Sequence, residues 1–419
     1  MNLVYILFAL LLLVFNVWSV YNMPVVFVGV RNLLRASRRK ASEATVSEWD
    51  LPSVSIIVPV KNEEKVVERL LRALLDLRYP SLNKEIIIVN DESSDGTGVI
   101  CGRFVSRYPR VQVFNRARSS TKAAALNFGV SQARGEIIVT FDADSVPEPD
   151  ALLNAVKYFR DPDVGAVQGR ICSINAGENL LTRFLSYEGA VQYEAYLRGK
   201  DRLNLFVGLA GTCQFVRRSV LEEVGGWNES NLSEDVELSL RLIDRDRVIK
   251  YASDVRTWEE SPNSVQGLVR QRARWFRGNI EMGFKFGRLL RKPGLRRFDA
   301  EMSLFGTYLI VMCLVSYFMA FWSFLLPPDF LLVVLTRFTS LFTVVILATV
   351  GVALVCVSRP LRLSSLVWLP FIYAYWGFQS LIALYAVVQI VFRRPGKWSK
   401  TTRSGKVTAE QAKMILAAL

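Results

Sequence analysis

Apolar positions are distributed along the chain in two ways. Between about 50 and 262, short continuous apolar runs alternate with amphipathic stretches of helical period. Val54-Ser-Ile-Ile-Val-Pro-Val60, Glu85-Ile-Ile-Ile-Val89, Val111-Gln-Val-Phe114 and Glu136-Ile-Ile-Val-Thr-Phe141 read as strands, with helices over 63–77 and 121–133. Strands that are apolar on both sides belong to a parallel sheet covered on both faces. Such sheets bind ligands at the carboxyl ends of their strands. The polar residues 61–63, 90–95 and 142–144 all follow directly on predicted strands. Elsewhere, 1–30, 303–327, 338–357 and 365–392 are nearly free of charge. Each is roughly 20 residues or more, the length a helix needs to cross a bilayer.

This pattern divides the 419 residues into an N-terminal span (1–30), a basic juxtamembrane linker (31–50), an α/β domain (51–262), amphipathic interface helices (263–300), C-terminal spans (303–392) and a basic tail (393–419). The first span reads as an uncleaved anchor, because its basic cluster (Arg31, Arg35, Arg38, Arg39, Lys40) follows the apolar run instead of preceding it. Positive charge stays cytoplasmic, which places the α/β domain there too.

The net charge of +14 fits juxtamembrane Lys and Arg near anionic headgroups. Nothing resembling a zinc knuckle, an RNA-binding strand or a long basic run accompanies it, so nucleic acid is not an expected partner. Five scattered cysteines (Cys101, Cys172, Cys213, Cys313, Cys356) form no Cys-x-x-Cys pair and suit a reducing compartment. The chain has no histidine, which excludes His-dependent triads and leaves carboxylates to hold any metal.

Neither a Gly-x-Gly-x-x-Gly turn nor a Gly-Lys-Ser/Thr loop is present, so a bound diphosphate needs another neutralising group. Asp142-Ala-Asp144 can hold a hard cation, Mg2+ or Mn2+, although the same pattern also caps turns. Asn90 and Asp91 could bond a base or ribose, whereas Asp95 suits an Asx turn. Lys122 precedes the helix 123–133, so an ammonium and free N–H groups could face a diphosphate; the alternative is a solvated lysine. Ser233-Glu234-Asp235 is either a helix cap or the seat of a general base, two roles that are compatible. Gln271, Arg274 and Trp275 share one helical face, and Arg270, Arg274 and Arg277 overlap it. That stripe suits an interfacial helix, or a Trp stacked on a sugar beside an Arg on phosphate.

In order, Pro59-Val-Lys-Asn-Glu63, Asn90-Asp91 with Ser-Ser-Asp-Gly-Thr97, Lys122, Asp142-Ala-Asp144, Gly225-Gly-Trp227, Ser233-Glu-Asp235 and Gln271-Arg-Ala-Arg-Trp275 make an ordered set. Over roughly 50–290 the chain thereby resembles the membrane-integrated, processive glycosyltransferases of family 2, which include poly-N-acetylglucosamine, hyaluronan, chitin and cellulose synthases. The resemblance implies an α/β GT-A (Rossmann-like) cytosolic domain with flanking transmembrane α-helices and amphipathic interface helices, in a multi-pass plasma-membrane protein. It implies a nucleotide-sugar donor, usually a UDP-sugar, contacted by Pro59, Asn62, Glu63, Asp91 and Lys122. Asp144, helped by Asp142, would hold Mg2+ or Mn2+. Asp235, beside Glu234, would deprotonate the acceptor. Gln271, Arg274 and Trp275 would frame the acceptor end and diphosphate, and Gly211, Thr212 and Cys213 would lie beside the acceptor sugar. Asn90 stands where many relatives have Asp, and Ser233 where Thr is usual; neither change removes a catalytic group.

Family chemistry is a single inverting displacement giving a β-linkage. The expected partners are a nucleotide sugar, a glycan or lipid-linked acceptor and membrane lipids, with room for an accessory export protein. Single addition to a lipid or short acceptor is an alternative to polymer synthesis. An inactive membrane scaffold or transporter is an alternative of another class, disfavoured by the intact acids. The segment Trp398–Arg403 resembles a tail that relatives place near the cytosolic site. Three crossings after a cytosolic domain would put that tail outside, and a break at Pro370 would relieve the conflict.

Overall fold

The computed structural model describes residues 3–36, 51–117, 121–286, 289–323, 330–357, 363–394 and 403–417. The chain forms two compact units. One comprises 41–189, 206–268 and 398–419; the other comprises 1–40, 190–205 and 269–397. The basic residues Arg38, Arg39 and Lys40 lie outside the described residues.

The first unit is built on eight strands: β1 (Val54–Val60), β2 (Lys84–Asp91), β3 (Val111–Arg116), β4 (Ile137–Thr140), β5 (Val146–Pro147), β6 (Val164–Ser173), β7 (Gln214–Arg217) and β8 (Val248–Glu259). They form one sheet in the order β3-β2-β1-β4-β7-β6-β8-β5. The four strands read from apolar runs make the parallel half, with Val54 opposite Lys84 and Ile137. Beyond β4 the sheet departs from the all-parallel expectation, because β7 pairs antiparallel with both β4 and β6. The wholly buried runs of β1 and β2 follow from cover on both faces.

The helix expected at 63–77 spans Val67–Leu75, and its buried Val67, Leu70, Leu71 and Leu74 make a stripe of helical period. Helix Lys122–Gln132 starts where Thr121 Oγ1 accepts from Ala124 N at 3.2 Å. Gly129 lets this helix lie on the sheet, since a Cβ there would stand 2.4 Å from Ile57 Cγ2.

Among the described residues of the second unit, four segments are long and apolar enough to span a membrane: Tyr5–Arg35, Leu295–Ser316, Phe330–Val357 and Leu363–Val391. The boundary expected at 300 falls inside helix Leu295–Ser323. That helix starts early because its first turns bury paired charge: Lys200 Nζ lies 2.9 Å from Asp299 Oδ2 and 2.6 Å from Ser303 Oγ. Tyr21 Oη donates to the other oxygen of Asp299 at 2.6 Å. Pro370 lies where the 3-10 turns of Leu363–Trp368 give way to an α-helix. It occupies the first turn of helix Leu369–Val391, where the missing N–H costs nothing.

Residues 192–202 run as a π-turn into a short helix and lie against helix Leu3–Ala36, backbone on backbone. A Cβ on Gly199 would come 1.9 Å from Val25 O, and one on Gly29 would come 1.7 Å from Ala195 O. Gly199→Ala must therefore push these helices apart. Overpacking of this kind costs about 1–3 kcal/mol, and thermal unfolding in detergent should register it. Gly102→Ala is the control: its Cβ would meet nothing within 4 Å, and helix propensity predicts a neutral or slightly stabilising effect. Equal stability of Gly199→Ala and wild type would contradict this packing.

Candidate active site

Three acids meet at the carboxyl end of the sheet. The chain leaves β4 through Asp142-Ala-Asp144, while β8 ends on Glu259. Each of Asp142, Asp144 and Glu259 places a carboxylate oxygen within 4.8 Å of the others. Their supports are also built in. Thr212 Oγ1 donates to Glu259 Oε1 at 2.7 Å and accepts from Asp142 N at 3.1 Å. Ser145 Oγ donates to the same Glu259 oxygen at 2.5 Å, and Glu260 N donates to Asp144 Oδ2 at 3.0 Å.

Packed this closely, Asp144 and Glu259 hold their charges poorly. Burial pushes the Asp144 carboxyl up, against the pull of Arg403 and with the push of Asp142. Burial, then Asp144 and Asp142, raises Glu259 to about 8. An all-oxygen donor set short of compensating charge suits a hard divalent cation.

Lys122 is not the solvated lysine of the bland alternative. Its Nζ stands 2.5 Å from Asp142 Oδ1, 2.9 Å from Gly211 O and 3.9 Å from Glu234 Oε1. Burial works against this ammonium, yet Asp142, Glu234 and Asp235 together hold its pKa above the ordinary lysine value. Gly211 adopts φ +77° at this junction; a Cβ would sit 3.1 Å from Asp235 Oδ2 and 3.3 Å from Lys122 Nζ. Lys122, Asp142, Gly211, Glu234 and Asp235 thus form one patch.

Helix Glu234–Asp244 aims Asp235, whose Oδ1 accepts from Val236 N at 2.9 Å. Ser233 stands at the N-cap without the side-chain bond expected of it. Instead Ser239 Oγ accepts from Leu209 N at 2.8 Å and donates to Asp235 O at 2.7 Å, tying the helix to the 209–211 loop.

Of residues 211–213, Gly211 borders this patch. Thr212 serves the acids, and Cys213 is wholly buried in the core with its thiol pushed up by burial. Trp227 is likewise interior, its backbone held by Asn127 through two bonds of 2.8 Å.

The donor-side loops come together at the ends of β1 and β2. Pro59 sits within β1 opposite Val89. Asn62, at φ 55°, accepts from Ser94 N at 2.7 Å. Glu63 N donates to Thr97 Oγ1 at 2.7 Å. Asp95 performs the turn chemistry expected of it, accepting from Thr97 N at 3.0 Å. Asp91 is paired with Arg116 at 2.8 Å.

Gln271, Arg274 and Trp275 fall in the other unit, on helix Val265–Phe286. There Trp275 is 39% exposed, and the Arg272 guanidinium lies over its ring at 4.5 Å.

The sequence reading passed over Glu259, Glu260 and Arg69. Glu259 and Glu260 are consecutive acids at a strand end, a signal equal in kind to Asp142–Asp144. Arg69 shows only as one basic residue on the apolar side of a helix. Arg403, within the tail segment singled out, places Nε 3.2 Å from Asp144 Oδ2. Trp398 to Thr402 lie outside the described residues.

Among known proteins, the chain is 35% identical over 247 residues to a β-monoglucosyldiacylglycerol synthase of Trichormus variabilis, covering 58% of this chain and 53% of that protein. It is 35% identical over 253 residues to a probable glycosyltransferase, YdaM, of Bacillus subtilis, covering 58% of this chain and 60% of that one. These matches span little more than half of either relative. A longer match, 28% identical over 366 residues, joins 84% of the chain to 87% of the poly-β-1,6-N-acetyl-D-glucosamine synthase of Staphylococcus epidermidis. In structure, a mannosyltransferase from Pyrobaculum calidifontis, solved with GDP-Man and Mn2+, superposes with a TM-score of 0.58 at 21% identity. It covers 91% of this chain and the whole of its own, and shows that the sheet is GT-A-like. Residues 55–225 match the glycosyl transferase family 2 model, and this chain carries a family 2 glycosyltransferase domain.

Proposed function

We propose that the chain is an inverting, divalent-metal-dependent glycosyltransferase that moves a sugar from a nucleotide diphosphate, a UDP-sugar, to a growing β-linked glycan at the membrane. One observation carries this reading: the acid cluster of Asp142, Asp144 and Glu259 adjoins Asp235 through Lys122 and Gly211, in a family 2 domain. Asp142, Asp144 and Glu259 would hold Mg2+ or Mn2+, which neutralises charge on a leaving diphosphate. Asn62, Glu63 and Asp91, at the ends of β1 and β2, bind and orient the nucleotide. Asp235 takes the proton of the acceptor hydroxyl. Its carboxylate stands at the start of a helix, and the Lys122 ammonium faces the same Gly211 corner. Gln271, Arg274 and Trp275 frame the acceptor end, with the exposed Trp275 ring offered to a sugar face.

The Staphylococcus epidermidis relative, matched over most of both chains, favours a polymer product. The cyanobacterial relatives favour a second reading, single transfer to a lipid acceptor. Product length from purified protein separates the two.

Residues 403–417 belong to the same compact unit as the catalytic domain. In this reading an even number of crossings separates 268 from 403, and among the described residues three apolar segments lie between. Two of them cross, and the third lies in the interface or re-enters. This reading keeps the tail on the cytoplasmic side.

Asp235→Asn should keep donor binding and lose transfer by about 10²–10⁴-fold, the usual contribution of a general base; near wild-type turnover would remove Asp235 from that role. Asp144→Asn should lose metal-dependent donor binding, measured by calorimetry with and without Mn2+, and unchanged binding would count against the metal site. For the topology, Glu410→Cys, in a background with the five native cysteines changed to serine, should react with an impermeant maleimide in inside-out vesicles only. Labelling of intact cells would refute a cytoplasmic tail.

A further inference from the structure

The C-terminal segment closes over the acid cluster through a latch that is itself buried. Arg69 and Glu260 pair at 3.0 Å with side chains 4% and 2% exposed. The same guanidinium donates to Asp144 O at 3.0 Å and Val407 O at 2.9 Å. Glu260 Oε2 accepts from Ser404 N at 2.7 Å and Ser404 Oγ at 3.0 Å, and its carboxylate also receives Gly405 N at 3.2 Å. Gly405 has φ +64°, and a Cβ there would lie 2.8 Å from Lys65 Cβ. Beyond it, Val407, Ala412 and Ile415 pack with Val146 and Ile174. This latch delivers one side chain into the cluster: Arg403, which donates to Glu260 O and stands 3.2 Å from Asp144 Oδ2.

We propose that residues 403–408 are a strap latched on Arg69–Glu260, and that Arg403 is a built-in counter-cation which a divalent metal must displace from Asp144. The proposal rests on the reading of Asp142, Asp144 and Glu259 as metal ligands. Two cations drawn to one buried carboxylate repel each other where water screens little. The arrangement makes release of the strap inexpensive. When Arg403 leaves, Glu260 keeps Arg69 and Asp142 keeps Lys122, so neither carboxylate is stranded. Asp144 loses the ion pair, Glu259 beside it loses the same nearby charge, and the metal supplies a replacement. Strap docking and metal binding therefore oppose each other: without metal the strap is closed on the acids, and metal loosens it.

The test uses the full-length protein in detergent without nucleotide, with Mn2+ binding followed by the paramagnetic resonance of the free ion. Arg403→Gln removes the counter-cation. Gly405→Val dislodges the strap while leaving every acid in place. Both should bind Mn2+ at least about fivefold more tightly than wild type, within the range usual for coupled sites. In the wild type, saturating Mn2+ should speed amide hydrogen exchange over 403–408. Unchanged or weaker Mn2+ binding in either variant, or a strap better protected with Mn2+, overturns the proposal. If wild type binds Mn2+, Asp144→Asn does not, and Arg403→Gln equals wild type, the strap proposal alone falls. If wild type binds no Mn2+, the metal-site reading falls and the strap proposal with it.

Discussion

Concentrating carboxylates at the carboxyl end of a sheet is costly unless each finds a cation, and much of this structure answers that requirement. Asp142, Asp144 and Glu259 place carboxylate oxygens within 4.8 Å of one another. Lys122 compensates one side of the cluster and Arg403 another, while Arg69 holds Glu260 just behind it. Removing one partner of such a buried pair costs several kcal/mol, because the other charge is stranded. The strands therefore position these acids, and the bases in turn fix the loops and tail that bring them. Gly211 shows how tight the arrangement is: a Cβ there would press on both Lys122 and Asp235, and its φ of +77° strains any other residue.

The parallel half of the sheet was legible because β1, β2 and β4 are rich in Val and Ile, as burial on both faces favours. The other half was not. β6 and β8 carry Gln168, Arg170, Lys250, Asp254 and Arg256; they pair parallel with register shifts, and each pairs antiparallel with its other neighbour. Glu259 was missed for the same reason. An acid earns attention at a strand end only once the strand has been recognised. Asp142, Asp144 and Asp235 were readable through the ordered motif set, whereas Arg69 could not be found without the tail it binds. Lys122 and Thr121 illustrate a partial success. The helix start was correctly placed, but nothing in sequence indicated that the ammonium would be bound to Asp142 and a backbone carbonyl.

The unit of long apolar helices follows other rules. Its helices were marked by hydropathy, yet Gly29 and Gly199 set how closely two backbones approach, and Lys200–Asp299 sets where a helix begins. Because residues 403–417 join the catalytic unit, the tail is a constraint on topology as well as a neighbour of the acids.

The central claim is that the three-acid cluster holds a metal that the transfer reaction needs, and Glu259, identified from geometry alone, tests it most directly. The measurement is nucleoside diphosphate release from a panel of nucleotide sugars, across a Mn2+ titration, for wild type and Glu259→Gln. The account predicts no release in excess chelator and a shift of the Glu259→Gln activation curve to higher Mn2+. Full activity in chelator, or coincident curves for the two proteins, would contradict it.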